Sequence, residues 1–387
     1  MRAQLVADFE RFKDALPREF PAYVREAYHI DLTGRYLGQS LAHPIGKGSG
    51  QLSLNERQLE EDRAAGLAFV VLKTLIAEDD SGVQSMAAWA IHETKMKVER
   101  RRVAGVDRGW TVTWKGRGWD RSFDAYLELV RAGRDLTRSG ELLVIPSVKY
   151  HLPRLGVPFV ESEYRHTTSR LADAWDEPPL LVEKDFSPTL AGDSLAEDRA
   201  QILRWLREVP DLIRRASPIE ARVAVKLMNA RFEEGFQHEM MLAAAGADAQ
   251  VVFNRLFDPA QGVAYGGRDL CERNLRVLES FAWLGQEPRA RALPGLCGTG
   301  GINSGRDVLA YARAGCEAVQ LHTMFQLPLD EFAARDGSRA QRVLHQLLFH
   351  PEDGMIAELW RFERRGLVHR RGGELHFLDI PAARFRR

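Results

Sequence analysis

The chain has 387 residues with 54 Lys and Arg against 54 Asp and Glu, so its formal charge is zero and no global basic field marks it for nucleic acid or an anionic membrane surface. No run of about 18 apolar residues occurs, and residues 1–21 are charged and amphipathic, which predicts a cytoplasmic protein without a membrane span. Cys271, Cys297 and Cys316 are too few and too scattered for a disulfide framework or a metal cage and are expected as buried thiols.

Leu5, Phe9, Phe12 and Leu16 stand at helical spacing, which predicts an N-terminal helical extension over residues 1–30, laid against the body. From Asp31 the pattern turns strand-like: a strand over 41–45, a glycine turn over 46–50 holding Gly48, Ser49 and Gly50, then a helix over 56–65 closed by Gly66. Residues 67–72 are continuously apolar, as suits a strand buried on both faces, and they end in Lys73 and Thr74. A lysine directly after such a strand either stands at the C-terminal mouth of an α/β barrel, where active sites of that fold lie, or snorkels to solvent. Residues 77–122 are charged, irregular and carry Trp89, Trp110, Trp114 and Trp119; they read as a lid or pocket wall.

The next strand spans 141–149, followed by a helix over 161–175 that stops before Pro178-Pro179. Residues 180–186 (LLVEKDF) form a further strand and lead into Ser187-Pro188, a candidate base position or a simple turn. Helices are expected over 196–209 and 211–216, and residues 221–227 are another buried strand with a lysine, Lys226, near its end. A helix over 233–245, a strand over 250–254 ending in Asn254, the pair Gly266-Gly267 and a helix over 270–282 follow. Residues 293–297 then form a short strand, Gly298, Gly300 and Gly301 a turn open to an anion, Ser304 a helix cap, and 318–321 a last strand before His322 and Thr323. Glycines at this spacing also solve ordinary packing problems. Residues 330–349 read as a closing helix, and the arginine-rich stretch 351–387 as a tail with a hairpin at Gly372-Gly373, its charge a solvated surface or an anion-binding one.

Eight strands alternating with helices, starting near 41, 67, 143, 180, 222, 250, 294 and 317, predict a (β/α)8 TIM barrel over 31–350 with an N-terminal helical extension and a C-terminal tail. Gly298-Thr299-Gly300-Gly301-Ile302, Gly315 and Thr323, with Lys73, Lys226, Asn254 and Gly266-Gly267, closely resemble the FMN barrel of the dihydroorotate dehydrogenases over roughly residues 31–348. The resemblance implies FMN as cofactor, held by Gly48, Ser49, Gly50, Lys73, Thr74, Lys226, Asn254, Gly266, Gly267, Gly298, Gly300, Gly301, His322 and Thr323. It implies Lys73 and Ser187 as the catalytic pair, with Trp114, Lys115, Lys184, Thr189 and Asn254 at the substrate. His322 stands where that family has glycine, and Trp114, Lys184 and Thr189 stand where it has the amides that bind the pyrimidine acid. The expected activity is hydride transfer between a small, anionic substrate and flavin. The alternatives are a catalytically degenerate barrel that keeps FMN or a phosphorylated ligand in a binding or regulatory role, and a flavin-free phosphate-sugar enzyme; a homo-oligomer stays open.

Loss of hydrogen-bonding partners for a polar substrate lowers specificity by a factor of about 10⁴. The chain is therefore predicted not to oxidise dihydroorotate at a useful rate. Anaerobic mixing of oxidised protein with dihydroorotate checks this, because bleaching of the yellow band within seconds at micromolar substrate contradicts it.

Overall fold

Apolar runs such as Phe69–Val71 and Ala221–Met228 are buried on both faces, and strands of that kind persist only in a sheet covered on both sides. The computed structural model describes residues 2–87, 96–103, 106–114, 118–186, 199–229, 233–258, 263–284 and 293–383. Ten strands of one parallel sheet occur in it: β1 (Ile45–Lys47), β2 (Phe69–Val71), β3 (Leu75–Ile76), β4 (Leu143–Ile145), β5 (Ser147–Lys149), β6 (Leu180–Asp185), β7 (Ala221–Met228), β8 (Ala249–Asn254), β9 (Gly295–Thr299) and β10 (Cys316–Leu321). Their order across the sheet is β3-β5-β6-β7-β8-β9-β10-β1-β2-β4. Helices Glu56–Ala64, Phe123–Arg138, Glu161–Trp175, Arg199–Ala216, Glu234–Ala243, Asp269–Leu284 and Gly305–Arg313 alternate with the strands, and Arg339–Phe349 follows the last. This is an α/β fold with a curled parallel sheet, compatible with a TIM-like barrel.

The sheet has ten members where eight were expected, for a local reason. After Leu72 donates to Ile145 O, Lys73 N turns away to Ser53 O at 3.0 Å, which separates β2 from β3. Pro146 lacks an N–H and separates β4 from β5, while its carbonyl still accepts from Glu183 N at 2.9 Å. β2 pairs with β4, and β3 pairs with β5.

Three further expectations change. The strand expected over 41–45 begins at Ile45, and Gln39–Leu41 instead forms a hairpin with Gly34–Tyr36. The stretch read as irregular contains two strands, Met96–Val103 and Val106–Trp114, which join Val263–Gly267 and Leu256–Asp258 in an antiparallel sheet. Both segments follow strand C-terminal ends, so this sheet lies on the same side of the fold as the strand termini. The N-terminal segment is two helices, Arg2–Arg11 and Phe20–Tyr28, burying Leu5, Phe9, Phe20, Val24 and Tyr28.

The C-terminal segment packs into the body. Helix Met355–Arg364 lies against Gly305–Arg313, and Leu375–His376 pairs in parallel with Ile30–Asp31. The hairpin expected around Gly372-Gly373 is reduced to one bridge, Arg371 with Glu374. No helix among the described residues is long and apolar enough to cross a membrane.

The crossing of those two helices depends on Gly305, where a Cβ would lie 2.0 Å from Met355 N and 2.4 Å from Leu347 O. Both obstacles are backbone and cannot rotate away. Gly305→Ala should therefore destabilise the protein by about 3 kcal/mol, as overpacking does when the neighbours cannot yield. Urea unfolding measures it, and a change below about 1 kcal/mol contradicts the packing described.

Candidate functional site

The parallel sheet carries buried charged side chains, Lys47, Lys149, Glu183, Lys184 and Lys226 within its strands and Lys73 between β2 and β3. Along β6 side chains alternate between faces, so Glu183 points opposite to Lys184. Glu183 Oε1 lies 3.0 Å from Lys226 Nζ on β7, and both residues are buried. Its other oxygen accepts from Tyr36 OH at 3.0 Å and from Gln320 Nε2 at 2.5 Å. A buried carboxylate needs hydrogen-bond donors to replace water, and this one has three. Tyr36 comes from the hairpin Gly34–Tyr36/Gln39–Leu41, Gln320 from β10, so four elements meet around one acid.

Nearby, Lys73 is buried at 4 % exposure, and its ammonium is pushed down to about 7 by burial, with Arg255 and Lys149 adding repulsion that Asp185 and Asp120 partly offset. Burial likewise pushes Arg255 down to about 9 against the pull of Asp185. His322 is held well below its usual range by burial and then by Arg255, Lys73, Lys226 and Lys47, so it is a neutral imidazole at physiological pH. Ser49 Oγ meets Thr74 Oγ1 at 2.9 Å, and Thr74 Oγ1 meets Ser147 Oγ at 3.0 Å, a hydroxyl chain beside Lys73. A nearby negative charge would draw a desolvated cation of this kind back to its protonated form.

Lys184, expected at the substrate, lies on the other side of β6. Its Nζ donates to Asp185 O at 3.1 Å and sits 4.7 Å from the centre of the Phe186 ring. Burial and Lys149 push it down to about 7, against the pull of Asp185 and Glu163.

The glycine-rich stretch is organised by packing. At Gly300, φ is +99° and a Cβ would meet Asn274 Nδ2 at 2.6 Å and Phe253 O at 2.8 Å; at Gly301, φ is +70° and it would meet Gly267 O at 2.7 Å. A side chain at either place would distort the fold before it touched a ligand. A Cβ at Gly298 would strike the Tyr311 ring at 2.5 Å. The helix start expected to hold a phosphate is already neutralised: Ser304 Oγ accepts from Asp307 N, Asp307 Oδ2 accepts from Asn303 N and Ser304 N, and Arg306 N donates to Asp353 O.

The fit to FMN is better at the strand ends. A Cβ at Gly48 would lie 3.1 Å from Gln320 Oε1 and 3.6 Å from Lys226 Nζ. Gln320 Oε1 is buried and has no hydrogen-bond partner, while its Nε2 is fixed by Glu183. The lack of a Cβ at Gly48 thus opens a spot flanked by an acceptor and a cation. This suits the edge of a flavin, which offers a ring N–H beside an electron-rich N1/O2. Gly266 approaches Thr323 Oγ1, 3.1 Å from its would-be Cβ, and the His322 ring occupies the space above Gly50, where a Cβ would be 1.8 Å from Nε2. Asn254 O accepts from Asn229 Nδ2 at 2.8 Å, which fixes the end of β8 against that of β7.

Lys115, Ser187 and Thr189 lie outside the described residues, and Trp114 is placed only as the last residue of its strand. Glu183, Lys149, Arg255, Gln320 and Tyr36 were not singled out by the sequence reading. The one available signal was Glu183-Lys184-Asp185 inside an otherwise apolar strand, since a run of charge there must find buried partners. No protein-family model and no curated protein matches the chain.

The two buried lysines give the stability a definite pH dependence. Lys184 titrates near 7 when folded and near 10.5 when unfolded, so between these values the unfolded chain binds more protons and stability rises with pH. The full penalty applies below about 7. Replacing Lys184 by Met should flatten that rise by up to about 1.4 kcal/mol per pH unit. Urea unfolding at pH 6, 7.5 and 9 reads the difference between the two proteins, and a difference that is constant with pH contradicts the burial of an ammonium at this position.

Proposed function

We propose that the chain is an FMN-dependent oxidoreductase of dihydroorotate dehydrogenase-like type, acting on a small anionic substrate. The observation that carries this reading is the cluster of buried cationic side chains at the strand ends, with Lys73 pushed to about 7 and Lys226 beside Gly48. Reading 69–76 and 143–149 as one interrupted strand each would reduce the ten strands to the eight of a (β/α)8 barrel, whose C-terminal mouth would then hold this cluster.

Each residue has a role that follows from its chemistry. Lys226 and Gln320 face the flavin edge as cation and acceptor, and the absence of a Cβ at Gly48 lets the ring approach the backbone. Ser49 and Thr74, hydrogen-bonded to each other, offer hydroxyls next in sequence to Gly48 and Lys73. Thr323 and neutral His322 stand where the resemblance puts the phosphate, and Gly266 where it puts a further flavin contact. Lys73 and Arg255 orient a substrate carboxylate, whose negative charge would draw Lys73 back to its protonated form. Ser187 is the base that the resemblance implies. FMN, when bound, supplies a hydride acceptor.

A second reading, a barrel that binds FMN or a phosphorylated ligand without turnover, draws support from two observations. His322 fills the space over Gly50, and the helix start at Gly305 has its anion already. Released chromophore from protein produced with ample riboflavin decides the cofactor: FMN is expected, and FAD or no flavin counts against the reading. Lys73→Met should keep the flavin and slow its anaerobic bleaching by the best reductant found by at least about 10²-fold, the scale for loss of one charged contact in the transition state. Retained flavin that no candidate anionic reductant bleaches in the unaltered protein supports the binding role instead.

A further inference from the structure

A parallel sheet covered on both faces is ordinarily filled by branched apolar side chains, yet this one keeps a carboxylate with no exposed surface. Burying an ion pair is at best neutral for stability when apolar residues of similar volume would fit. Glu183 is nevertheless held by three donors from three elements: Lys226 Nζ at 3.0 Å, Tyr36 OH at 3.0 Å and Gln320 Nε2 at 2.5 Å. Tyr36 is itself fixed by Phe69, with ring centroids 4.9 Å apart, and by Gln320 Nε2, 3.1 Å from its hydroxyl oxygen. The carboxylate therefore cannot swing away from Lys226. It touches one side of the ammonium while Gly48 faces another.

We propose that Glu183 is a positioning residue that sets the charge Lys226 presents to the flavin edge. It anchors Nζ beside Gly48 and acts as a counterweight, so the pair delivers a dipole where a lone lysine would deliver a full positive charge. Tyr36 and Gln320 adjust that counterweight, because each donor to Glu183 absorbs part of its negative charge. The inference rests on the FMN reading above. It concerns the energy of the reduced flavin, which gains electron density at the N1/O2 edge and is stabilised by positive charge there.

The test is the midpoint potential of the flavin-loaded protein, read spectroscopically against a reference dye without any substrate. Glu183→Gln keeps the shape and an acceptor for Lys226 but removes the charge, so the potential should rise by about 30 mV or more, a tenfold change in a two-electron equilibrium. Tyr36→Phe takes one donor from the carboxylate and should move the potential the other way by a smaller amount. Lys226→Met should lower it, and adding Glu183→Gln to that variant should shift it by a different amount than in the presence of the lysine. A flavin-loaded Glu183→Gln protein whose potential is unchanged or lower overturns the inference. Should that variant not fold, an unmoved potential in Tyr36→Phe overturns it equally. Wild-type protein that takes up no FMN removes the proposed function and this inference together, whereas loaded variants with unmoved potentials remove the inference alone.

Discussion

One carboxylate in the middle of a parallel sheet constrains much of what surrounds it. Glu183 requires a cation and two neutral donors within reach, and these come from β7, β10 and the hairpin before β1. Elements distant in sequence are thereby held in register by hydrogen bonds to a single side chain. The neighbouring residues of the sheet have to fit the same geometry: the Phe69 ring lies under Gly46, where a Cβ would be 2.3 Å away, and against Tyr36. Specific polar contacts of this kind add directionality that apolar packing lacks.

The strand ends inherit the charge imbalance. Lys47 is matched within the fold by Asp62, at 2.5 Å, and Lys226 by Glu183. Burial lowers Lys47 despite Asp62, and it pushes Lys73 to about 7 and Arg255 to about 9, with acids only partly offsetting the penalty. A protein that holds such groups in a low-dielectric region sacrifices stability there, and regions of that kind are commonly where ligands bind. The helix beginning at Gly305 shows the contrasting solution, since its N-terminal donors are satisfied by its own Ser304 and Asp307.

Much of the alternation was legible because it depends on local chemistry. A continuous apolar run marked β2, predominantly apolar stretches marked β6, β7 and β8, and Ser304 marked the start of its helix. The cationic strand ends at Lys73 and Lys226 were visible as charge directly after apolar residues. What escaped depended on partners far along the chain. The hairpin before β1 turns through Leu37 and Gly38, both at positive φ (50° and 75°), and a leucine in that conformation gives no turn signal. Charges in Met96–Val103 hid a strand whose partners lie at 106–114 and whose sheet is completed by 263–267. Two expected helices proved to be one, Arg199–Ala216, with Pro210 inside it, because the apolar face continues through the proline and outweighs one missing bond. Gln320 looked like any residue of an apolar strand; only the geometry shows that one end of its amide is fixed and the other faces Gly48.

The parallel pairing of Ile30–Asp31 with Leu375–His376 has a temporal consequence. Asp31 and His376, also 3.2 Å apart through their side chains, are separated by 345 positions. A ribosome making this chain at about 5–20 residues per second therefore leaves the first strand without its neighbour for roughly 17 to 70 seconds. During that interval the helix Phe20–Tyr28 can dock on the growing body, but the edge it leads into stays open. Completion of this pairing thus waits until synthesis has passed His376, and an exposed strand edge is the feature a chaperone would meet in the nascent protein.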